Sequence, residues 1–353
     1  MSIPAPARAR RGRAGLLAIA LLVALVIAAL LSAGMGQLSA SPVEVLATLL
    51  KQVGVDLGVV PEGPNVEAAL TTIRFPRVVM SIVIGAALAV AGLLMQAIFG
   101  NPLAEPGVVG VSSGAAVGAC SAIVFNLTFF GEWTVPVLAF GAGLAVTLLV
   151  YGLSRAGGRT EVVTLLLTGI ALNAFCGAAL ALLTFLGDTS AREQIVFWQL
   201  GSLNGSMWQQ VLVVLPFVLA GLTGAAFLAR RLDLLALGEK SARHLGVNVE
   251  VLRVTAIVLT ALLVGAAVAF AGIIAFVGLV IPHLMRMILG PAHGPLLITS
   301  TLGGALLLTV GDLIARTAVP FADLPIGMLT SLVGGPFFFW LLRRSRKRAG
   351  GWG

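Results

Sequence analysis

The chain has 353 residues, of which 59% are hydrophobic and only 10% are charged. Soluble domains carry about 25% charged residues, so this composition excludes a soluble globular protein and indicates a membrane protein. The formal net charge of +8 does not indicate nucleic acid binding, because membrane topology accounts for it, as shown below.

Nine uncharged runs of 19 residues or more predict the membrane-spanning elements. A helix needs about 20 apolar residues to cross the roughly 30 Å of bilayer hydrocarbon, and it satisfies its own backbone hydrogen bonds in lipid. A β-barrel would instead show alternating segments of about ten residues. The pattern therefore predicts an all-α polytopic protein, and the runs in chain order are 14–43, 78–104, 106–131, 133–154, 162–187, 194–229, 254–285, 287–311 and 324–342.

Two of these runs need interpretation before the crossings can be counted. The first follows a basic stretch, residues 1–15, as in a signal peptide, but it is long enough to span the membrane and is interpreted as an uncleaved helix. The run 254–285 contains "AGIIAFVGLVIP", whose glycine and proline residues could turn the chain between two helices. Counting two crossings over 254–290 gives about ten transmembrane helices in a single domain, 1–353.

The basic residues orient these ten helices. Cytoplasmic loops are enriched in lysine and arginine, and ten crossings place 17 of the 22 basic residues on the cytoplasmic side. Both termini, 1–15 and 343–353, are then cytoplasmic, the segment 37–70 lies outside, and the charged segment 232–247 lies in the cytoplasm between the sixth and seventh helices. The basic residues that face outward are Lys51, Arg74, Arg77, Arg192 and Arg316.

An internal repeat is visible in the helices. The stretch "IGAALAVAGLL" (84–94) recurs 180 residues later as "VGAAVAFAGII" (264–274), with six of eleven positions identical. Chance similarity between two helices rich in alanine and glycine is one explanation. The opposite predicted directions of the two copies favour an inverted repeat of helices 2–5 and 7–10, as in many transporters. Small residues in both copies would let helices approach closely: Gly85, Ala89, Gly92, Gly265, Ala269 and Gly272.

Several motifs, taken together, resemble the FecCD family of ABC-importer permeases, which import haem, ferric siderophores and vitamin B12. The resemblance extends from about residue 70 to 345, and it implies a fold like that of the vitamin B12 importer permease. The motifs are "RFPR" (74–77), "GAALAVAGLLMQAIFGNPLAEPGVVGVSSGAA" (85–116), "LLLTGIALN" (165–173), "FWQLGSLNGSMW" (197–208), "LLALGEKSARHLGV" (234–247), "AGIIAFVGLVIPHLMRMILG" (271–290) and "LPIGMLTSLVGGPFFFWLL" (324–342).

The resemblance implies that the segment 232–247 couples the permease to a cytosolic ATPase. Its residues combine apolar anchors, a break at Gly238 and a polar face, a mixture that suits a protein partner surface. A solvated amphipathic loop is the alternative from the residues alone. The coupling residues are predicted to be Leu234, Leu235, Leu237, Gly238, Glu239, Lys240, Arg243 and His244.

The resemblance also implies an outer docking surface. Arg74, Arg77 and Arg316 match arginines that meet glutamates of an extracytoplasmic substrate-binding protein, a pairing that mostly steers docking. Arginines at helix ends can instead extend to the lipid headgroups. Asp312 lies four residues before Arg316, which predicts an intrahelical pair between them.

The translocation pathway is implied along the fifth helix and the short helix after it. The cytoplasmic gate is predicted at Glu161, Val162, Val163 and Thr164, and the outer wall includes Phe197, Trp198, Leu200 and Met207. An apolar aromatic wall suits a large, mostly apolar planar cargo, although aromatic residues near a membrane interface also form the ordinary aromatic belt.

Together these features predict the membrane subunit of an ATP-driven haem importer in the cell membrane. "FWQLGSLNG" and "FLGDTSAREQ" (185–194) look closer to haem-type members, while ferric-siderophore and vitamin B12 import are the alternatives within the family. The implied partners are a second copy of the chain, two ATPase subunits that bind ATP and Mg²⁺, a substrate-binding lipoprotein and lipid. No cofactor-binding or catalytic motif is found, so the chain itself is not predicted to be an enzyme. An ion-coupled secondary transporter is the alternative from another class, and the few charges within the spans argue against it.

Overall fold

The architecture is a bundle of long helices, seen in a computed structural model that describes residues 7–36, 39–59, 61, 63, 65–156 and 159–348. A π-helical turn, Leu70–Arg74, joins α3 to α4, and short 3₁₀ turns, Pro106–Val109 and Gly131–Trp133, precede α5 and α6. Two two-residue strands, β1 (Arg155–Ala156) and β2 (Arg159–Thr160), pair antiparallel before α7. The helices are α1 Ala7–Gly34, α2 Pro42–Gln52, α3 Val66–Ala69, α4 Phe75–Phe99, α5 Val111–Val124, α6 Thr134–Leu153, α7 Val162–Leu186, α8 Thr189–Leu200, α9 Trp208–Leu235, α10 Glu239–His244, α11 Val249–Ala271, α12 Val277–Leu289, α13 His293–Thr317 and α14 Ile326–Arg348.

The described residues contain as many apolar helices as the ten predicted crossings. Seven helical stretches are long and apolar enough to span a membrane, and three more are shorter: Val111–Val124, Val277–Leu289 and Ile326–Trp340. A helix of 14 residues covers only about 21 Å, so the short helices need their flanking turns to complete a crossing. The chain is a multi-pass membrane protein.

The run 254–285 divides into two helices, as the glycine and proline residues predicted. Helix α11 ends at Ala271 and α12 begins at Val277. Gly272 has φ +67°, and a side chain there would overlap the carbonyl oxygen of Trp198. Only glycine combines this backbone conformation with such a close approach.

The packing pattern matches an inverted repeat that exchanges α4 with α11, α5 with α12 and α6 with α13. Helix α4 packs against α11, α12 and α13, and helix α11 packs against α4, α5 and α6, as the exchange requires. The short helices α5 and α12 also occupy equivalent places in the two halves, a feature of transporters built from such repeats.

The core of the bundle lies around α4, which is buried along nearly its whole length. Gly85 faces the backbone of Gly304, and Gly92 faces the backbone of Gly278, so closely that a methyl group at either position would overlap a carbonyl oxygen. These contacts confirm the predicted close approach of helices at small residues of the first copy.

Candidate functional site

The segment 232–247 forms a compact turn between α9 and α11. Helix α9 ends at Leu235, the chain reverses at Gly238 with φ +100° and ψ 149°, and the short helix α10 follows at once. A residue with a side chain is strained at this φ. The break predicted at Gly238 is thus the bend that sets the direction of α10.

This segment exposes a mixed surface, although its apolar part differs from the predicted one. Leu237 is 64% exposed and Leu245 is 57% exposed, whereas Leu235 is only 8% exposed and belongs to the hydrophobic core. Leu234 is half-buried. Leu235 is directed inward because the last turn of α9 still packs on the bundle. The exposed polar members are Glu239, Lys240, Arg243 and His244.

A hydrogen-bonded pair and an ion pair fasten this segment to the bundle. The Asp233 carboxylate lies 2.7 Å from Nδ1 of His293 and accepts a hydrogen bond of 2.8 Å from the His293 backbone N–H. Glu239 pairs with Arg253 of α11, and Arg243 lies 3.4 Å from the same carboxylate. The segment is therefore bonded to both α11 and α13.

A cleft of about 510 Å³ opens beside the segment. The C-terminal end of α4, from Gln96 to Gly100, forms one wall, and Gly238 and Glu239 form another. Val162, the first residue of α7, also lines it. The cleft is therefore lined by three predicted coupling residues, Leu235, Gly238 and Glu239, and by one predicted gate residue, Val162.

The predicted gate residues lie at the start of α7. Val163 is 66% exposed and Glu161 is exposed, while Val162 and Thr164 are half-buried. The Thr164 hydroxyl donates a hydrogen bond of 3.1 Å to the Glu161 carboxylate. The exposed apolar side chain of Val163 suits a surface that meets another helix or the cargo.

The four residues of the predicted outer wall lie in three different places in the structure. Phe197 and Trp198 line a cavity of about 480 Å³ that polar groups of Ser190, Glu193 and Asn204 also line. Leu200 lines a different cleft with residues of α14. Met207 immediately precedes the first residue of α9 and is 38% exposed. The structure thus brings only two of the four predicted residues together, in a cavity with aromatic and polar walls.

The three outer arginines do not form the open docking surface that was expected. The Arg77 Nε donates to both Asp312 carboxylate oxygens at 3.0 and 3.1 Å, and its Nη1 donates to Asp323 at 2.9 Å. Arg316 donates to the Ser32 carbonyl and hydroxyl oxygens. Arg74 donates to the carbonyl oxygens of Ala33 and Gly34 at 2.8 and 3.1 Å.

The physical reason for this difference is that an arginine buried among helices needs acceptors. This chain supplies them from α1, from α13 and from Asp323 in the loop before α14. The predicted pair of Asp312 with Arg316 is present at 3.8 Å. The shorter and bidentate partner of Asp312 is Arg77, which residue spacing did not indicate. Spacing reveals partners one helical turn apart but not partners in distant helices.

The outer segment carries an ion pair of its own. Lys51 donates to Glu67 at 2.7 Å, and this hydrogen bond, with the charge of Glu67, raises the pKa of Lys51. Among the described residues, no group of three or more His, Cys, Asp or Glu side chains could hold a metal ion.

Comparisons with known proteins identify the family of this chain. Residues 22–344 match the model of the FecCD transport family. The chain is 45% identical over 282 residues to the hemin transport system permease protein HmuU of Yersinia pestis, which covers 79% of this chain and 84% of that protein. It is 39% identical over 293 residues to the cobalamin import system permease protein BtuC of Halobacterium salinarum, covering 82% and 77% of the two chains.

A solved structure agrees with these relatives. It is described as an inward-facing conformation of a metal-chelate type ABC transporter, and it superimposes with a TM-score of 0.81 at 34% identity, over 93% of this chain and 98% of that one. The relatives are permease subunits, which carry no catalytic site themselves. The chain belongs to the FecCD transport family and is a permease of an ABC importer.

Proposed function

We propose that the cargo of this permease is haem. The observation that carries this proposal is the 45% identity to a hemin permease, against 39% to a cobalamin permease. The cavity beside Phe197 and Trp198 supports it, because exposed aromatic faces suit a planar, mostly apolar molecule.

The working assembly is two copies of this chain, two cytosolic ATPase subunits and one extracytoplasmic binding protein. The ATPase subunits bind ATP and Mg²⁺, and the permease binds no cofactor. The exposed leucines and cations of the segment 232–247, Leu237, Leu245, Lys240 and Arg243, provide apolar anchors with a charged rim for the ATPase. In the proposed assembly both termini lie in the cytoplasm and the chain lies in the cytoplasmic membrane.

Transport then proceeds by alternating access. ATP binding and hydrolysis move the segment 232–247, and the start of α7 opens or closes the inner end of the pathway. In a fold built from inverted repeats, such a change is largely a rigid movement of one half against the other.

Docking of the binding protein through the outer arginines requires an exchange of partners. Asp323 is the accessible one of the two carboxylates that hold Arg77, since its side chain is 32% exposed and that of Asp312 only 1%. A glutamate of the binding protein can replace Asp323 on Arg77 without uncovering Asp312.

Vitamin B12 or a ferric siderophore is the second candidate cargo. The 39% identity to a cobalamin permease and the structural match to a metal-chelate type transporter favour it. All three cargoes would pass through the same fold, so only uptake distinguishes them.

The test is uptake by the complete complex in liposomes that contain ATP. Haem, cyanocobalamin and a ferric siderophore are supplied with the binding protein, and the cargo inside is measured. We expect haem uptake that depends on the binding protein and that stops when ATP is replaced by a non-hydrolysable analogue. Uptake of cyanocobalamin or the siderophore without uptake of haem would contradict the proposed cargo.

A further inference from the structure

A chain of polar contacts connects the segment 232–247 to the start of α7. Arg253, on the second turn of α11, pairs through one terminal guanidinium nitrogen with Glu239. Through the other it donates a hydrogen bond of 3.1 Å to the carbonyl oxygen of Thr160. The Arg253 side chain is 8% exposed and that of Glu239 is 45% exposed. The contact with Thr160 is therefore shielded from water and stronger than it would be in solvent, whereas the ion pair with Glu239 remains open to solvent on the carboxylate side.

Glu250, one turn before Arg253 on α11, binds the remaining polar groups of Thr160. Its carboxylate accepts a hydrogen bond of 2.9 Å from the Thr160 backbone N–H and one of 2.6 Å from the Thr160 hydroxyl. Tyr151 reaches the same carboxylate at 3.5 Å. The backbone N–H, the carbonyl and the hydroxyl of Thr160 are therefore all bonded to two residues of α11.

The position of Thr160 makes these bonds mechanically relevant. It is the last residue of β2, it is buried, and a single residue, Glu161, separates it from the first residue of α7. A displacement of Thr160 therefore moves the N-terminus of α7.

Two residues of this chain of contacts, Glu239 and Arg253, also line the cleft beside the segment 232–247. Val162, Gly238, Glu239 and Arg253 all line the same space of about 510 Å³. The ion pair of Glu239 with Arg253 therefore lies at the wall of this space. Charge-assisted bonds of this kind are directional, so they pass on a displacement that an open space alone would absorb.

We propose that Glu239, Arg253, Thr160 and Glu250 form a relay that transmits movement of the ATPase-contacting segment to the gate at α7. Arg253 and Glu250 act as positioning residues, which neither touch the cargo nor contact the ATPase. The inference rests on the proposed function of the segment 232–247 as the ATPase contact. It adds the specific residues through which that contact reaches the pathway.

The test measures the gate directly and needs no cargo. A single cysteine is introduced by Val163→Cys at the exposed gate position, in a chain with Cys120→Ala and Cys176→Ala. Its rate of reaction with a maleimide is measured in the complete complex, with and without a non-hydrolysable ATP analogue. We expect the analogue to change this rate in the otherwise unaltered chain. With Arg253→Met the change should shrink by about fivefold or more, the size of a typical coupling between sites.

Two further variants distinguish a loss of the relay from a general destabilisation of the complex. Thr160→Val keeps the shape of the side chain and removes only the bond from the hydroxyl to Glu250, so it should reduce the response partly while the complex stays assembled. Lys51→Met removes a cation from an ion pair on the outer segment and should leave the response unchanged.

Three outcomes overturn the relay. The first is a full response of the gate in the Arg253→Met complex. The second is a loss of response in Lys51→Met as large as in Arg253→Met. The third is an otherwise unaltered complex in which the ATP analogue does not change the maleimide reaction rate of the introduced cysteine. Failure of the ATPase to co-purify with the unaltered chain would instead refute the proposed ATPase contact, and failure of haem uptake alone would leave the relay intact.

Discussion

The carboxylate of Asp312 lies between two arginines near the end of α13. Its side chain is 1% exposed and accepts bidentate hydrogen bonds from Arg77, with Arg316 at 3.8 Å. Removing one partner of a buried ion pair leaves an uncompensated charge, which costs far more than the loss of an exposed pair. Asp323 contacts the same arginine but is 32% exposed, so the two carboxylates make a matched comparison.

At this residue scale we expect Asp312→Asn to lower the free energy of unfolding by about 3–5 kcal/mol. Asp323→Asn should lower it by about 1 kcal/mol or less, because water screens an exposed pair. Denaturant titration of the purified permease in detergent measures both changes. Equal losses of unfolding free energy in the two variants would show that burial does not determine how much Asp312 contributes to stability.

Neighbouring helices of this bundle pack closely against one another at small residues. Between α4 and α12 the backbones approach at Gly92 and Gly278, and between α4 and α13 at Gly85 and Gly304. Membrane helices gain little from the hydrophobic effect against one another, so close packing at small residues supplies much of their association. Gly141 on α6 provides a contrast, since a methyl group there meets no atom within 4 Å.

At the element scale we expect Gly92→Ala to destabilise the bundle by about 1–3 kcal/mol or more, since α4 and α12 must separate to admit a methyl group. Gly141→Ala should be neutral or slightly stabilising, because alanine favours a helix over glycine by up to about 1 kcal/mol. Thermal unfolding in detergent compares the two. A Gly92→Ala protein as stable as the parent chain would contradict the assigned contact.

The whole molecule has a polar end at the segment 232–247, which is bonded to the rest of the bundle. Asp233 pairs with His293 of α13, and Glu239 pairs with Arg253 of α11. The charged segment 232–247 is thus bonded to two different helices of the second repeat. Its conformation depends on Gly238, whose φ of +100° is inaccessible to proline.

At the scale of the whole molecule we expect Gly238→Pro to leave membrane insertion intact and to abolish cargo-stimulated ATP hydrolysis by the complex. The long apolar helices direct insertion, whereas the bend at Gly238 sets the direction of α10, which we propose contacts the ATPase. Gly58→Pro is the control, since Gly58 also has positive φ, +68°, but lies in the outer segment. Unchanged stimulation in the Gly238→Pro complex would refute the assignment of this segment.

The number of apolar helices, the family and the position of the charged segment between the sixth and seventh of these helices all follow from the sequence alone. Hydrophobic runs report helices directly, because each helix must be apolar over its own length to lie in lipid. The small residues of the first repeat copy also predicted close helix contacts, and Gly85 and Gly92 make them. The pair of Asp312 with Arg316 followed from local spacing.

Which side chains are exposed to a partner protein, and which already have hydrogen-bond partners within the chain, depends on the tertiary structure. Arg77 and Asp312 are 235 residues apart, and Arg253 and Thr160 are 93 apart; no periodicity in one helix reveals such pairs. Leu235 shares its run of leucines with Leu237, yet one is buried and the other exposed because α9 ends between them. Partner choice depends on how distant helices pack, and that packing is a property of the whole fold.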